Sequence, residues 1–153
     1  MNKKSIYQLN KLNISHILAI DYGMAKIGLA MADSETKIAF AFDVFANNKN
    51  FLQNLTNIIK KQNVNLIIIG IPAYANGKIV KYEGEELGKT LKKIFPDMEI
   101  EYQNEMFTTK MAQNNLIEKG MRNIGQKDDA EAARIILQSW LEKISEQKSG
   151  NRN

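Results

Sequence analysis

The stretch from Ile14 to Asp33 constrains the fold of this chain more than any other. An apolar run beginning at Ile14 ends in an acid, Asp21, and after a short turn containing Gly23 a second apolar run reaches Ala32. Two β-forming runs joined by so short a turn pair as a hairpin, and a glycine in the turn supplies the backbone freedom it needs. Such a hairpin holds the Asp21 carboxylate at the rim of a sheet. A charge at the edge of an apolar core is costly without a partner, and a metal ion or a phosphate ligand would be such a partner. Asp21 is therefore the first handle on function.

The rest of the chain extends this start into a layered domain. The pattern predicts strands over Ile14–Asp21, Lys26–Ala32 and Lys37–Ala46, which short turns force into an antiparallel meander. Phe51, Leu52, Leu55, Ile58 and Ile59 then recur at helical spacing within Asn50–Gln62. The aliphatic run Asn65–Ile71 reads as a central strand covered on both faces, and it stops at Pro72. A polar loop over Ala73–Val80 is followed by a helix over Lys81–Phe95 and a short strand over Glu99–Gln103. Thr108 caps a helix reaching about Lys119, and Gly120–Gln126 forms a loop. Asp128 or Asp129 opens a final helix to about Ile144. The expected architecture is α/β, a five-stranded mixed sheet flanked by helices. Residues 1–13 read as a flexible extension, 14–144 as the domain and 145–153 as a frayed tail.

Composition removes several chemistries. A chain of 153 residues suits one domain. It has no cysteine, which excludes disulfides and thiolate chemistry, and its one histidine, His16, leaves little from which to build a Ser-His-Asp triad or a multi-histidine metal site. His16 itself stands in an apolar strand and reads as a packing residue, as do Trp140 and Leu141 in the final helix. The N-terminus lacks the apolar segment of a signal peptide, and no apolar run approaches membrane-spanning length. A cytoplasmic protein without a membrane partner is expected. The net charge of +4 suits an acidic partner, but Lys3, Lys4, Lys11, Lys148 and Arg152 place the excess in the two ends.

Three acids share one kind of location. Asp21 ends the first strand, Glu105 follows the fifth, and Asp128-Asp129 opens the last helix, where a carboxylate is favoured by the helix dipole. Hard divalent cations are held by a few carboxylates together with waters and substrate phosphates. Two such ions about 4 Å apart clamp an in-line phosphoryl displacement. Each acid alone also has a plain reading as a turn residue or helix cap.

Four motifs in register go further. Asp-Tyr-Gly-Met-Ala-Lys-Ile-Gly-Leu-Ala at 21–30, Ile-Ile-Gly-Ile-Pro at 68–72 with Asn76-Gly77, Glu105 with Thr108-Thr109, and Asp129 with Ala132-Ala133 and Ile136-Leu137-Gln138 resemble those of the YqgF family, also called RuvX. The resemblance runs from about Ile14 to Glu142 and implies an RNase H-like fold. It implies a metal-dependent endonuclease maturing the 5′ end of precursor 16S ribosomal RNA, with two Mg²⁺ or Mn²⁺ ions held by Asp21, Glu105 and Asp129. Lys26, Gly23, Thr109 and Asn76 are the implied substrate contacts. The implied partners are nucleic acid, RNA before DNA, and the pre-ribosomal particle, with a homodimer needed for the alternative of a Holliday junction resolvase. A non-catalytic RNA-binding assembly factor is the reading from another class. It draws on Asn104 and Met106, which stand where the family often has an acid and an arginine beside its glutamate.

Overall fold

The computed structural model describes residues 15–71, 83–104 and 128–150. Eight elements follow one another: β1 (His16–Tyr22), β2 (Lys26–Asp33), β3 (Ala39–Ala46), α1 (Phe51–Lys61), β4 (Val64–Ile71), α2 (Glu83–Ile94), β5 (Glu99–Asn104) and α3 (Asp128–Gly150). The strands form one sheet in the order β3-β2-β1-β4-β5. β1, β2 and β3 pair antiparallel, whereas β4 runs parallel to β1 and β5 parallel to β4. The meander and the mixed sheet are those expected from the hydrophobic pattern.

Two unlike cores cover the sheet. Leu18, Ile20, Leu29, Met31, Ile67 and Ile69 face Phe51, Leu55 and Ile59 of α1 and Leu87 and Leu91 of α2. The spacing of Phe51, Leu55 and Ile59 places them on one stripe of the helix, which is why α1 lies flat on the strands. On the opposite face Ala19, Ala30, Ala32 and Ala39 stand beside Ile17, Leu66 and Ile68, and these meet Ala133, Ile136, Leu137 and Leu141 of α3. Small side chains on the strands let this helix approach closely, and dispersion contacts strengthen as the gap closes.

Local polar groups fix the ends of the elements. The backbone N–H of His16 donates to Asn63 O, and its ring Nδ1 lies 2.7 Å from Gln62 O, tying the start of β1 to the end of α1. Between β2 and β3 the Asp33 carboxylate accepts from the N–H groups of Glu35 and Thr36 and from the Thr36 hydroxyl. The Thr36 N–H, above all, holds the Asp33 carboxyl below its ordinary range. On the edge strand β3, Phe42 is an extra residue opposite the step from Leu29 to Ala30, and Asp43 Oδ1 accepts the N–H of Val44. A bulge and an outward acid both discourage another strand from adding there.

Most element boundaries differ from the sequence reading by a residue or two, and three of the differences have a visible cause. β1 runs one residue beyond Asp21, because Tyr22 still pairs with Ile27. β3 begins at Ala39 rather than Lys37, since the Asp33 turn and the left-handed Lys37 (φ 58°) precede it. The final helix passes Ile144 and continues to Gly150, so 145–150 is helix rather than a frayed tail. Ser145 to Ser149 include no proline or glycine, so nothing in the run stops the helix. The expected helix from Thr108, the loops at 73–80 and 120–126 and the extension 1–13 lie outside the described residues. No helix among the described residues is long and apolar enough to cross a membrane.

Candidate active site

The carboxyl ends of β1, β4 and β5 lie along one rim of the sheet, because these three strands run parallel. Asp21 stands there, half-buried, on the α3 face in line with Ile17 and Ala19. Its antiparallel partner is Gly28 and its parallel partner is Gly70. The carboxylate is thus flanked on both sides by residues without side chains. Beyond Gly70 the same row continues to Gln103 of β5.

Asp129 arrives at this row through the backbone. A Cβ on Gly28 would overlap the carbonyl of Asp129 and the N–H of Ala130. The first turn of α3 therefore rests on Gly28, the residue opposite Asp21, and the structure brings Asp21 and Asp129 to neighbouring places on one face. The N-terminal end of a helix carries partial positive charge, which favours both an acid in that turn and an anionic ligand before it.

The β1–β2 turn is held from the side. Asn47 Nδ2 donates to Gly23 O at 2.8 Å, and the Asn47 N–H donates to Ala25 O at 2.9 Å. Tyr22 completes the clamp by donating its hydroxyl to Asn47 Oδ1 at 3.4 Å. Gly23 is required because a Cβ there would overlap the carbonyl of Lys26. Lys26 itself is exposed at the start of β2, beside the rim. Of the residues expected at the site, Asp21, Gly23, Lys26 and Asp129 are placed together at this end of the sheet. Glu105, Thr109 and Asn76 lie outside the described residues, although Glu105 directly follows Asn104, the last residue of β5.

Asp21 and Asp129 offer hard carboxylate oxygens, the donor type that suits Mg²⁺ or Mn²⁺ rather than soft metals. Among the described residues no three acidic or histidine side chains gather at one metal-sized point. Sequence reasoning missed Asn47 and Gln103 at this rim, and it quoted Gly28 and Gly70 in their motifs without seeing that both stand beside Asp21. Of these, only Gln103 carried a readable signal, as a polar residue at an inward position of a strand.

A mixed five-stranded sheet in the order β3-β2-β1-β4-β5 with helices packed on it has the RNase H-like fold. Solved structures agree on the fold. RuvC of T. thermophilus, in a complex with a Holliday junction substrate, superposes with a TM-score of 0.57 at 12% identity, covering 85% of this chain and 96% of that one. The yeast mitochondrial Holliday junction resolvase Ydc2 gives a TM-score of 0.59 at 14% identity, covering 97% and 89%. The chain belongs to the RuvX family, whose family description is Holliday junction resolvase and whose pattern matches residues 15–143. A Bacteroides fragilis relative named "Putative pre-16S rRNA nuclease" is 35% identical over 135 residues, 84% of this chain and 97% of its own length. A Rickettsia conorii relative of the same name is 35% identical over 153 residues, covering 94% and 96%.

Proposed function

We propose that this protein is a divalent-metal-dependent endonuclease that hydrolyses phosphodiester bonds, acting on the 5′ end of precursor 16S ribosomal RNA. The observation that carries the reading is Asp21, set between Gly28 and Gly70 at the rim where the first turn of α3 delivers Asp129. A binding module has no use for carboxylates gathered against phosphates, whereas phosphoryl transfer requires them. Asp21, Asp129 and Glu105 are the residues that would hold Mg²⁺ or Mn²⁺. When bound, two such ions activate water and stabilise the departing oxygen of an in-line displacement.

The chain's own residues supply position. Lys26 meets the backbone phosphate from the exposed side of the turn, and the Asn47 clamp keeps Gly23 and Ala25 fixed against it. Water adds to phosphorus on the side opposite the ester oxygen that leaves, and that oxygen departs with the bonding pair and takes up a proton. Thr109 and Asn76 are further substrate contacts that the family resemblance implies. Relatives named for the precursor RNA favour RNA, and on this reading the protein works on the pre-ribosomal particle in the cytoplasm.

The family description and the RuvC likeness favour one second reading, cleavage of four-way DNA junctions by a homodimer. One experiment separates the two. End-labelled RNA carrying the 16S precursor leader and a four-way DNA junction are incubated with Mg²⁺, Mn²⁺ or EDTA. Metal-dependent cuts in the RNA are expected, and Asp21→Asn should lower their rate by about a thousandfold or more while leaving the melting temperature in place. Cuts confined to the junction would replace the RNA reading with the resolvase one. Folded wild-type protein that binds RNA yet cuts neither substrate would replace both with an assembly factor.

A further inference from the structure

Met24 has no part in the chemistry above, yet the way it is held sets it apart. It is 88% exposed, whereas the other large exposed hydrophobics among the described residues, Ile38, Phe40, Ile94 and Tyr102, are 41% to 65% exposed. Those four rest in part on the fold, and Met24 rests on almost nothing. Its backbone, in contrast, is fixed. The carbonyls on either side of it, Gly23 O and Ala25 O, accept the side-chain and backbone N–H groups of Asn47 at 2.8 and 2.9 Å. The Tyr22 hydroxyl steadies the Asn47 side chain in turn.

A lone apolar side chain on a surface needs no explanation of its own. Here the turn gives no reason for a methionine. Tight turns favour Gly, Asn, Asp or Ser, whose backbone freedom or short polar groups serve the chain. A long thioether does neither, and packing gives no reason for it where nearly all its surface meets water. Presentation does. A backbone already restrained by the fold loses little further freedom when a ligand arrives.

Its place says which ligand. Met24 lies three residues beyond Asp21 and two before Lys26, so its Cα is within about 11 Å of that of Asp21. Successive bases of a stacked strand are about 3.4 Å apart, so a strand whose scissile phosphate sits at Asp21 passes Met24 within about three nucleotides. What such a strand offers a thioether is the face of a base. Magnitudes choose between paired and unpaired bases. A sulfur against an aromatic face is worth up to about tenfold in affinity. Prising apart one stacked step of a duplex costs roughly a hundredfold or more. Met24 cannot open a helix and gains only from a base that is already free.

We infer that Met24 is a substrate-contacting residue that packs against the face of an unpaired base near the scissile phosphate, making the site selective for single-stranded nucleic acid. This rests on the nuclease reading of the rim and extends it by one contact and one preference. Every base has such a face, so the contact selects strandedness rather than sequence.

The test uses the full chain with Met24→Ser and Met24→Phe. Melting temperature, kcat and KM are measured for each. Anisotropy is read in an Asp21→Asn background with the labelled leader RNA as a single strand, as a blunt duplex, and as single strands with one abasic nucleotide near the cut. Both variants should melt as the wild type does, since Met24 supports nothing in the fold. Met24→Ser should bind the single strand about three- to tenfold more weakly and the duplex unchanged. Met24→Phe should bind the single strand at least as tightly as methionine does, because an aromatic ring stacks better on a base. One abasic position should cost the methionine protein the same factor and cost Met24→Ser nothing more. Unchanged KM and affinity for Met24→Ser in an active enzyme would overturn the contact and leave the nuclease standing. An equal loss on single strand and duplex, or a lowered melting temperature in Met24→Ser, would overturn it as well. Should the wild type cut nothing, the nuclease reading falls, and the single-strand against duplex comparison still decides whether Met24 meets a base.

Discussion

At Gly28 a missing side chain decides where a whole helix can sit. The carbonyl of Asp129 occupies the volume a Cβ would need, directly across the hairpin from Asp21. Gly28→Ala should therefore push the first turn of α3 away from β2, at a stability cost of about 1–3 kcal/mol for overpacking. Cleavage should fall further than that cost explains, because a small displacement between Asp21 and Asp129 spoils the geometry of both. Urea unfolding and cleavage rates on the same preparations check this, and activity falling no further than the folded fraction would contradict it. Asp21 was legible in the sequence because a carboxylate closing an apolar run has few structural reasons. Asp129 was legible only through its spacing to Ala132-Ala133. The glycines beside Asp21 were not, since Gly70 becomes its neighbour only when β1 and β4 pair in parallel across more than forty intervening residues.

Among the elements, the β1–β2 hairpin reaches the rim under outside control. Asn47 at the end of β3 bonds Gly23 and Ala25 and takes the hydroxyl of Tyr22. Asn47→Ala removes the side-chain half of that clamp and leaves the backbone bond. The expected result is a KM for nucleic acid raised several-fold, with kcat changed less, because Lys26 loses its fixed bearing while Asp21 stays in its strand. A drop in kcat alone would show that the clamp acts on the chemistry instead. The strands and helices themselves were largely readable, since β1, β4 and α1 each display one unambiguous period. Their ends were less so. Lys37 takes a left-handed conformation that its side chain does not advertise, and the polar turns after Ile144 look equally like coil or exposed helix.

For the molecule as a whole, the two faces of the sheet are built to different rules. Large aliphatic and aromatic side chains interlock beneath α1 and α2, whereas alanines floor the bed of α3. The floor leaves little room to rearrange, so a hole made on the α3 side should stay a hole. Leu137→Ala, fully buried in wild type, should cost about 3–5 kcal/mol, at the upper end for such a truncation. Chemical denaturation measures it, and a cost near 1 kcal/mol would show that α3 settles inward after all.

Trp140 gives that helix a further property. It is the chain's single tryptophan, and its indole is bonded to Glu101 on β5 rather than to its own helix. Its ultraviolet emission is consequently an optical gauge of one contact, the seating of α3 on the far edge of the sheet. Any event that lifts the helix, whether heat, a distant substitution or a strand entering beside Asp129, will announce itself as a change of colour and brightness from one identified ring, with no label attached.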